Sequence, residues 1–89
     1  MQLTDHARRR SSQRNIPTNI IATICAYGAE LKAPGGARKV LLDRGSIELA
    51  ADGNARKRSE LERYLQAYLV IGDDGRVITV ARQRRRFFK

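Results

Sequence analysis

The sequence predicts an α+β domain, with two N-terminal helices packed on one face of an antiparallel sheet of about four strands. Apolar residues recur at helical spacing between residues 16 and 27, and β-rich runs flank two turn signals, Pro34-Gly35-Gly36 and Asp74-Gly75. The length, 89 residues, suits one domain with a small core. A single cysteine, Cys25, excludes an internal disulfide, and its place in a run of Ile and Ala reads as a small core residue.

Taking the elements in order, Thr4 is placed to cap a helix over residues 5 to 14, with Asp5 in its first turn, where a negative charge suits the helix dipole. That helix is nearly all polar. Its only apolar members are Ala7 and the flanking Leu3, so it has little surface to bury. Pro17 suits the first position of a second helix, in which Ile16, Ile20, Ile24 and Tyr27 share one face, and Gly28 is expected to end it in a left-handed conformation. Residues 29 to 33 and 38 to 43 read as a hairpin, with Pro-Gly in a type II turn.

Ser46 is the expected cap of a short helix over residues 47 to 51, closed by Asp52-Gly53. Ser59 and Glu62 have the spacing of a capping box for a helical turn ending near Leu65. Residues 67 to 72 and 76 to 82 form the last hairpin around Asp74-Gly75, a pair favoured in type I′ turns. In that register Asp73 lies opposite Arg76, Ile71 faces Ile78 and Leu69 faces Val80 on the core side. Val70 with Thr79 and Tyr68 with Ala81 form the more polar side.

Charge is unevenly spread. Of 18 Lys and Arg residues, ten lie near the two ends: Arg8, Arg9, Arg10 and Arg14, then Arg76, Arg82, Arg84, Arg85, Arg86 and Lys89. Asp5 is the only carboxylate among them, whereas residues 21 to 75 hold eight basic and eight acidic side chains. The net charge of +9 therefore belongs to the ends, and a fold that joins them would present one face to a polyanion. No segment approaches the roughly 20 apolar residues that span a bilayer, and the N-terminus is charged where a signal peptide would be apolar. A cytoplasmic protein that does not engage membrane is expected.

His6 is the only histidine and so the only side chain whose unperturbed pKa suits proton transfer at neutral pH. Arg10 follows one turn on and Arg14 extends the row, which supplies a base and a cation of the kind that RNA cleavage by its own 2′-hydroxyl requires. The plain alternative is a helix-surface histidine. Thr79 and Tyr68 offer hydroxyls for phosphate, or are ordinary strand residues. The tail from about residue 83 to 89 sets Phe87 among arginines, a combination that stacks on bases while neutralising phosphate, unless the ring folds back on the core. Metal-ligand clusters, phosphate loops and cofactor motifs are missing from the sequence, so any enzyme would work without a metal or cofactor.

His6-Ala7-Arg8-Arg9-Arg10, Gln13-Arg14, Ile16-Pro17, Tyr68-Leu69-Val70-Ile71-Gly72 and Val77-Ile78-Thr79-Val80 resemble the bacterial domain-of-unknown-function family forty-two fifty-eight, related to RelE/ParE/BrnT-like toxins. The resemblance covers most of the chain. It implies a single RelE-like domain over residues 1 to 89 in which the histidine-bearing helix lies beside the last strands. It also implies an endoribonuclease, or a relative that has lost that activity; an acidic antitoxin protein is a further candidate partner. The residues then assigned to catalysis are His6, Arg10, Thr79 and Arg82. Arg8, Arg9, Arg14, Tyr68, Arg84, Arg85, Arg86 and Phe87 are assigned to nucleic acid, RNA in preference to DNA. A non-catalytic nucleic-acid-binding module, and a protein-targeting toxin or inhibitor neutralised by an acidic partner, remain as alternatives.

Overall fold

The computed structural model describes residues 2 to 83; the expected tail residues Arg84, Arg85, Arg86 and Phe87 lie outside this range. Helices α1 (Asp5–Gln13) and α2 (Thr18–Tyr27) come first, followed by strands β1 (Ala29–Lys32) and β2 (Arg38–Leu41). Helices α3 (Arg44–Ala51) and α4 (Ala55–Glu62) precede β3 (Ala67–Ile71) and β4 (Val77–Arg82). The four strands form one antiparallel sheet in the order β1-β2-β3-β4, so the expected α+β architecture is what the chain adopts. Among the described residues no helix is long and apolar enough to cross a membrane.

Period-two alternation decides which face of the sheet is buried. Val40, Ala67, Leu69, Ile71, Val77 and Val80 are buried on one face, against Ile16, Ile20, Ile21 and Ile24 around α2, Ile47 and Ala50 of α3 and Leu61 of α4. Tyr68, Val70 and Thr79 on the other face are only half-buried. Tyr27 departs from the expected core stripe of α2 and is 45% exposed, because the stripe ends at Ile24 where the chain turns into β1.

Gly28 does not take the expected left-handed conformation; its φ is −63°, and the chain passes directly from α2 into β1. Glycine is needed there for a different reason. A Cβ would lie 2.5 Å from Val40 Cγ1 and 2.6 Å from the Ile24 carbonyl oxygen. In the first hairpin Gly35 has the positive φ that a type II turn requires, but Gly36 has one too, at 77°. The Ala37 N–H donates to the Pro34 carbonyl, so this turn carries one more left-handed residue than a type II turn needs.

The two middle helices start earlier than expected. Asp43, not Ser46, caps α3: its carboxylate accepts from the Ser46 N–H at 2.8 Å and from the Ser46 hydroxyl, while Ser46 Oγ accepts from the Asp43 N–H. Ser46 is thus the third helical residue of a reciprocal capping box. Asn54 caps α4 by accepting from the Lys57 N–H, which places Ser59 inside that helix rather than at its start.

The last hairpin keeps the expected pairs Val70–Thr79, Leu69–Val80 and Tyr68–Ala81, but Ile71 pairs with Val77 rather than Ile78. A bulge inserts Ile78, leaving it 39% exposed while Val77 is buried. The cause lies in the turn. Gly75 has φ of 87° and Asp74 is not left-handed, which excludes type I′. Gly75 N–H donates to the Gly72 carbonyl and Gly72 N–H to the Arg76 carbonyl, so Gly72 takes the closing position expected of Asp73 and the loop has three residues. Asp74 accepts from the Arg76 N–H at 3.0 Å, and that bond above all holds its carboxyl below its ordinary range.

Gly28→Ala is expected to lower the unfolding free energy by about 1–3 kcal/mol through overpacking against Val40, measured as a reduced urea midpoint. Asp43→Ala should cost about 1 kcal/mol at neutral pH through loss of the cap. The Ser46 hydroxyl and N–H hold the Asp43 carboxyl below its ordinary range. Its contribution is therefore complete above the unfolded value near about 4 and disappears as pH falls through the lower folded value. Unfolding curves of the parent and Asp43→Ala should converge in acid; an unchanged gap would remove Asp43 as the cause.

Candidate nucleic-acid interface

The first helix is joined to the last strand mainly by backbone. Leu3 bridges Val77 in a short parallel pairing, with Val77 N–H donating to the Gln2 carbonyl at 2.8 Å and Thr4 N–H to the Val77 carbonyl at 3.0 Å. Thr4 Oγ1 then accepts from the Ala7 N–H and starts α1. Ala7 is the one buried residue of this helix, and α1 packs along β4. The N-terminal basic segment and the terminal strand are therefore neighbours.

His6, Arg8 and Arg9 are exposed, while Arg10 and Arg14 are half-buried beside the Ala7 seam. Arg10 Nε donates to His6 Nε2 at 3.4 Å, and its Nη1 donates to Gln13 Oε1 at 3.4 Å. At 100° per residue Arg8 falls on the other flank of the seam from His6, where it borders a shallow depression with Leu3, Ser11 and Thr18. Among the described residues no carboxylate pairs with any α1 arginine; the ion pairs are Arg38–Glu30, Arg58–Glu48 and Arg76–Asp74.

The other assigned residues divide between the two sheet faces. Arg82 pairs with buried Ala67 and so lies on the helix-covered face, where its Nη1 donates to the Arg63 carbonyl at 3.0 Å and its guanidinium stands 5.5 Å from the Tyr64 ring. Thr79 and Tyr68 lie on the opposite, open face. No described hydrogen bond or ion pair links His6 or Arg10 to Thr79, Tyr68 or Arg82. The structure thus brings His6 and Arg10 together and gives Arg82 a partner elsewhere.

Tyr68 has neighbours that the sequence pattern did not single out. Lys39 Nζ lies 4.4 Å from its ring centroid and donates to Gln83 Oε1 at 2.6 Å. Gln83 Nε2 in turn reaches Gln66 Oε1 at 3.5 Å. The pairing of Lys39 with Val70 and Leu41 with Tyr68 across β2 and β3 creates this cluster. The residue alternation in β2 is a usable signal for it, but only once β2 is known to lie next to β3. Burial pushes the Cys25 thiol up, which suits a packing residue rather than a nucleophile.

Comparison of the chain with protein-family models, with curated proteins and with solved structures finds no match. The residues themselves are what bears on function.

Because Arg82 is engaged with Arg63 and Tyr64, Arg82→Ala should lower the thermal midpoint modestly, by less than about 1 kcal/mol in stability. An unchanged midpoint would mean that those interactions contribute nothing and that the guanidinium is free for a ligand.

Proposed function

We propose that this chain is a toxin-like RNA-binding protein of the RelE/ParE kind whose phosphate-binding surface is centred on α1. The observation that carries this reading is the set of α1 arginines without a carboxylate partner among the described residues, on a helix that buries only Ala7. Guanidinium groups crowded on and beside one short helix repel each other. Bound phosphate removes that repulsion and releases counterions from the nucleic acid. RNA is preferred because a lone, metal-free site can use the 2′-hydroxyl of RNA as its own nucleophile.

The hydrogen bond between Arg10 and His6 favours cleavage as a second reading on the same surface. His6 would accept the 2′-hydroxyl proton as the 2′-oxygen attacks phosphorus, while Arg10 holds the phosphate and stabilises its developing charge; the bond from phosphorus to the 5′-oxygen breaks and water protonates that leaving oxygen. Since Arg10 donates to the imidazole, a phosphate that draws the guanidinium away frees Nε2 for the proton. Arg8 and Arg9 would bind flanking phosphates.

RNA affinity should fall linearly in log-log form with salt, and Arg8→Gln with Arg9→Gln should reduce the slope by roughly 0.7 for each phosphate of a single strand that is no longer neutralised. Fluorescence anisotropy against salt measures this; a flat response removes RNA binding. Cleavage in EDTA that is abolished in His6→Ala while binding persists would establish the catalytic role. Equal products from both proteins would leave a binding protein only.

A further inference from the structure

The two sheet edges are treated differently. The edge at β4 is paired at Val77 by the Gln2–Thr4 segment and flanked by α1, whereas β1 ends the sheet with β2 on its inner side only. Leu42 N–H donates to the Ala67 carbonyl, and Leu42 accepts from the Gln66 N–H, so even-numbered residues of this segment bond towards β3 and odd-numbered ones towards β1. Ala33 N–H donates to the Ala37 carbonyl. With the register Leu31–Lys39 and Ala29–Leu41, the same alternation directs the main-chain groups of Leu31 and Ala29 inward and those of Glu30 and Lys32 outward.

Side chains at this edge are also incompletely matched. Lys32 lies directly opposite Arg38, an unfavourable like-charge pair, although Glu30 accepts from Arg38 Nη1 at 3.2 Å. Leu31 is on the other face and is 51% exposed.

We propose that β1 docks against β1 of a second copy of this chain, antiparallel about a two-fold axis at Leu31, which joins the two sheets into one. In this register Glu30 of each copy forms a hydrogen-bonded pair with Lys32 of the other, exchanging both N–H···O bonds. Charge selects it. An axis at Glu30 sets two carboxylates opposite each other, and an axis at Lys32 sets two ammonium groups opposite each other. The axis at Leu31 alone among these three gives opposite charges at both pairs, and each incoming Glu30 offsets the Lys32–Arg38 repulsion already present. The two Leu31 side chains meet as a non-hydrogen-bonded pair, with Cα atoms about 4.5 Å apart. Four residues make a short interface, so the dimer is weak and depends on concentration.

Sedimentation equilibrium of the full chain over a concentration series tests this. The parent should show reversible dimerisation, and K32E should weaken it by at least about tenfold, since two attractive pairs become repulsive. K32E does not endanger the fold, because the new carboxylate faces Arg38. The double variant E30K/K32E should recover the dimer, as opposite charges face each other again. A parent that remains monomeric at the highest attainable concentration overturns the proposal. So does a dimer indifferent to K32E, or one that E30K/K32E fails to restore while circular dichroism shows it folded. A dimer broken by I78K but not by K32E would place the interface on the open sheet face, and would equally end the proposal for the β1 edge.

Discussion

Burial of one face of the sheet against α2, α3 and α4 is the interaction on which the other features depend. With 89 residues there are enough large aliphatic side chains for a single layer between helices and sheet, and they are used there: Ile20, Ile21 and Ile24 from α2 meet Leu69, Val77 and Val80 from the sheet. The opposite face receives what is left. It mixes Val70, Thr79 and Tyr68 with exposed Leu31 and Ile78, an unsuitable composition for a second core. One-sided burial also requires close approach between α2 and the sheet. The van der Waals limit at Gly28 arises there, because the chain leaves α2 and enters β1 beneath Val40.

The same limitation explains how α1 is attached. A helix with a single buried alanine gains little from apolar packing, on the order of 1 kcal/mol or less for so small a side chain. Its position is set instead by the Gln2 and Thr4 main-chain bonds to Val77 and by the Thr4 cap. Because those bonds involve backbone and one hydroxyl, the side chains of Arg8, Arg9 and His6 are not needed to hold the helix in place. They are free to be selected for something other than stability, and their charge is a cost to the isolated fold.

Much of the architecture is legible in the sequence because it follows from local rules. The Thr4 cap, the Ile16–Ile20–Ile24 stripe and the lower part of the β3–β4 register match the structure, since each depends on spacing within a few residues. The departures share one origin. Asp43 and Ser46 are both good caps three residues apart, and the choice between them is made by where β2 releases the chain, since Ser46 Oγ also lies 3.3 Å from the Leu41 carbonyl oxygen. Asp74-Gly75 permits type I′, but the Asp74 carboxylate bonds to the Arg76 N–H and stabilises a three-residue loop. That one-residue difference then moves Ile78 out of the core and Val77 in. The site is less legible still. Spacing brings His6 next to Arg10, but it does not show that Arg82 is drawn towards Arg63 and Tyr64, residues that follow a helix whose start local pattern misplaces.

The distribution of charge follows from these placements. Among the described residues three arginines pair with carboxylates: Arg38 with Glu30, Arg58 with Glu48 and Arg76 with Asp74. These are exposed pairs that add little stability, so their effect is chiefly to cancel field rather than to hold elements together. On α1 that cancellation is missing even though Asp5 lies within one turn of Arg8 and Arg9. Asp5 sits instead at the helix N-terminus, where it serves the dipole. On α1 every arginine is without a carboxylate partner among the described residues, on a helix whose one buried side chain is Ala7. That clustering, rather than the total charge of +9, sets the local positive potential of α1.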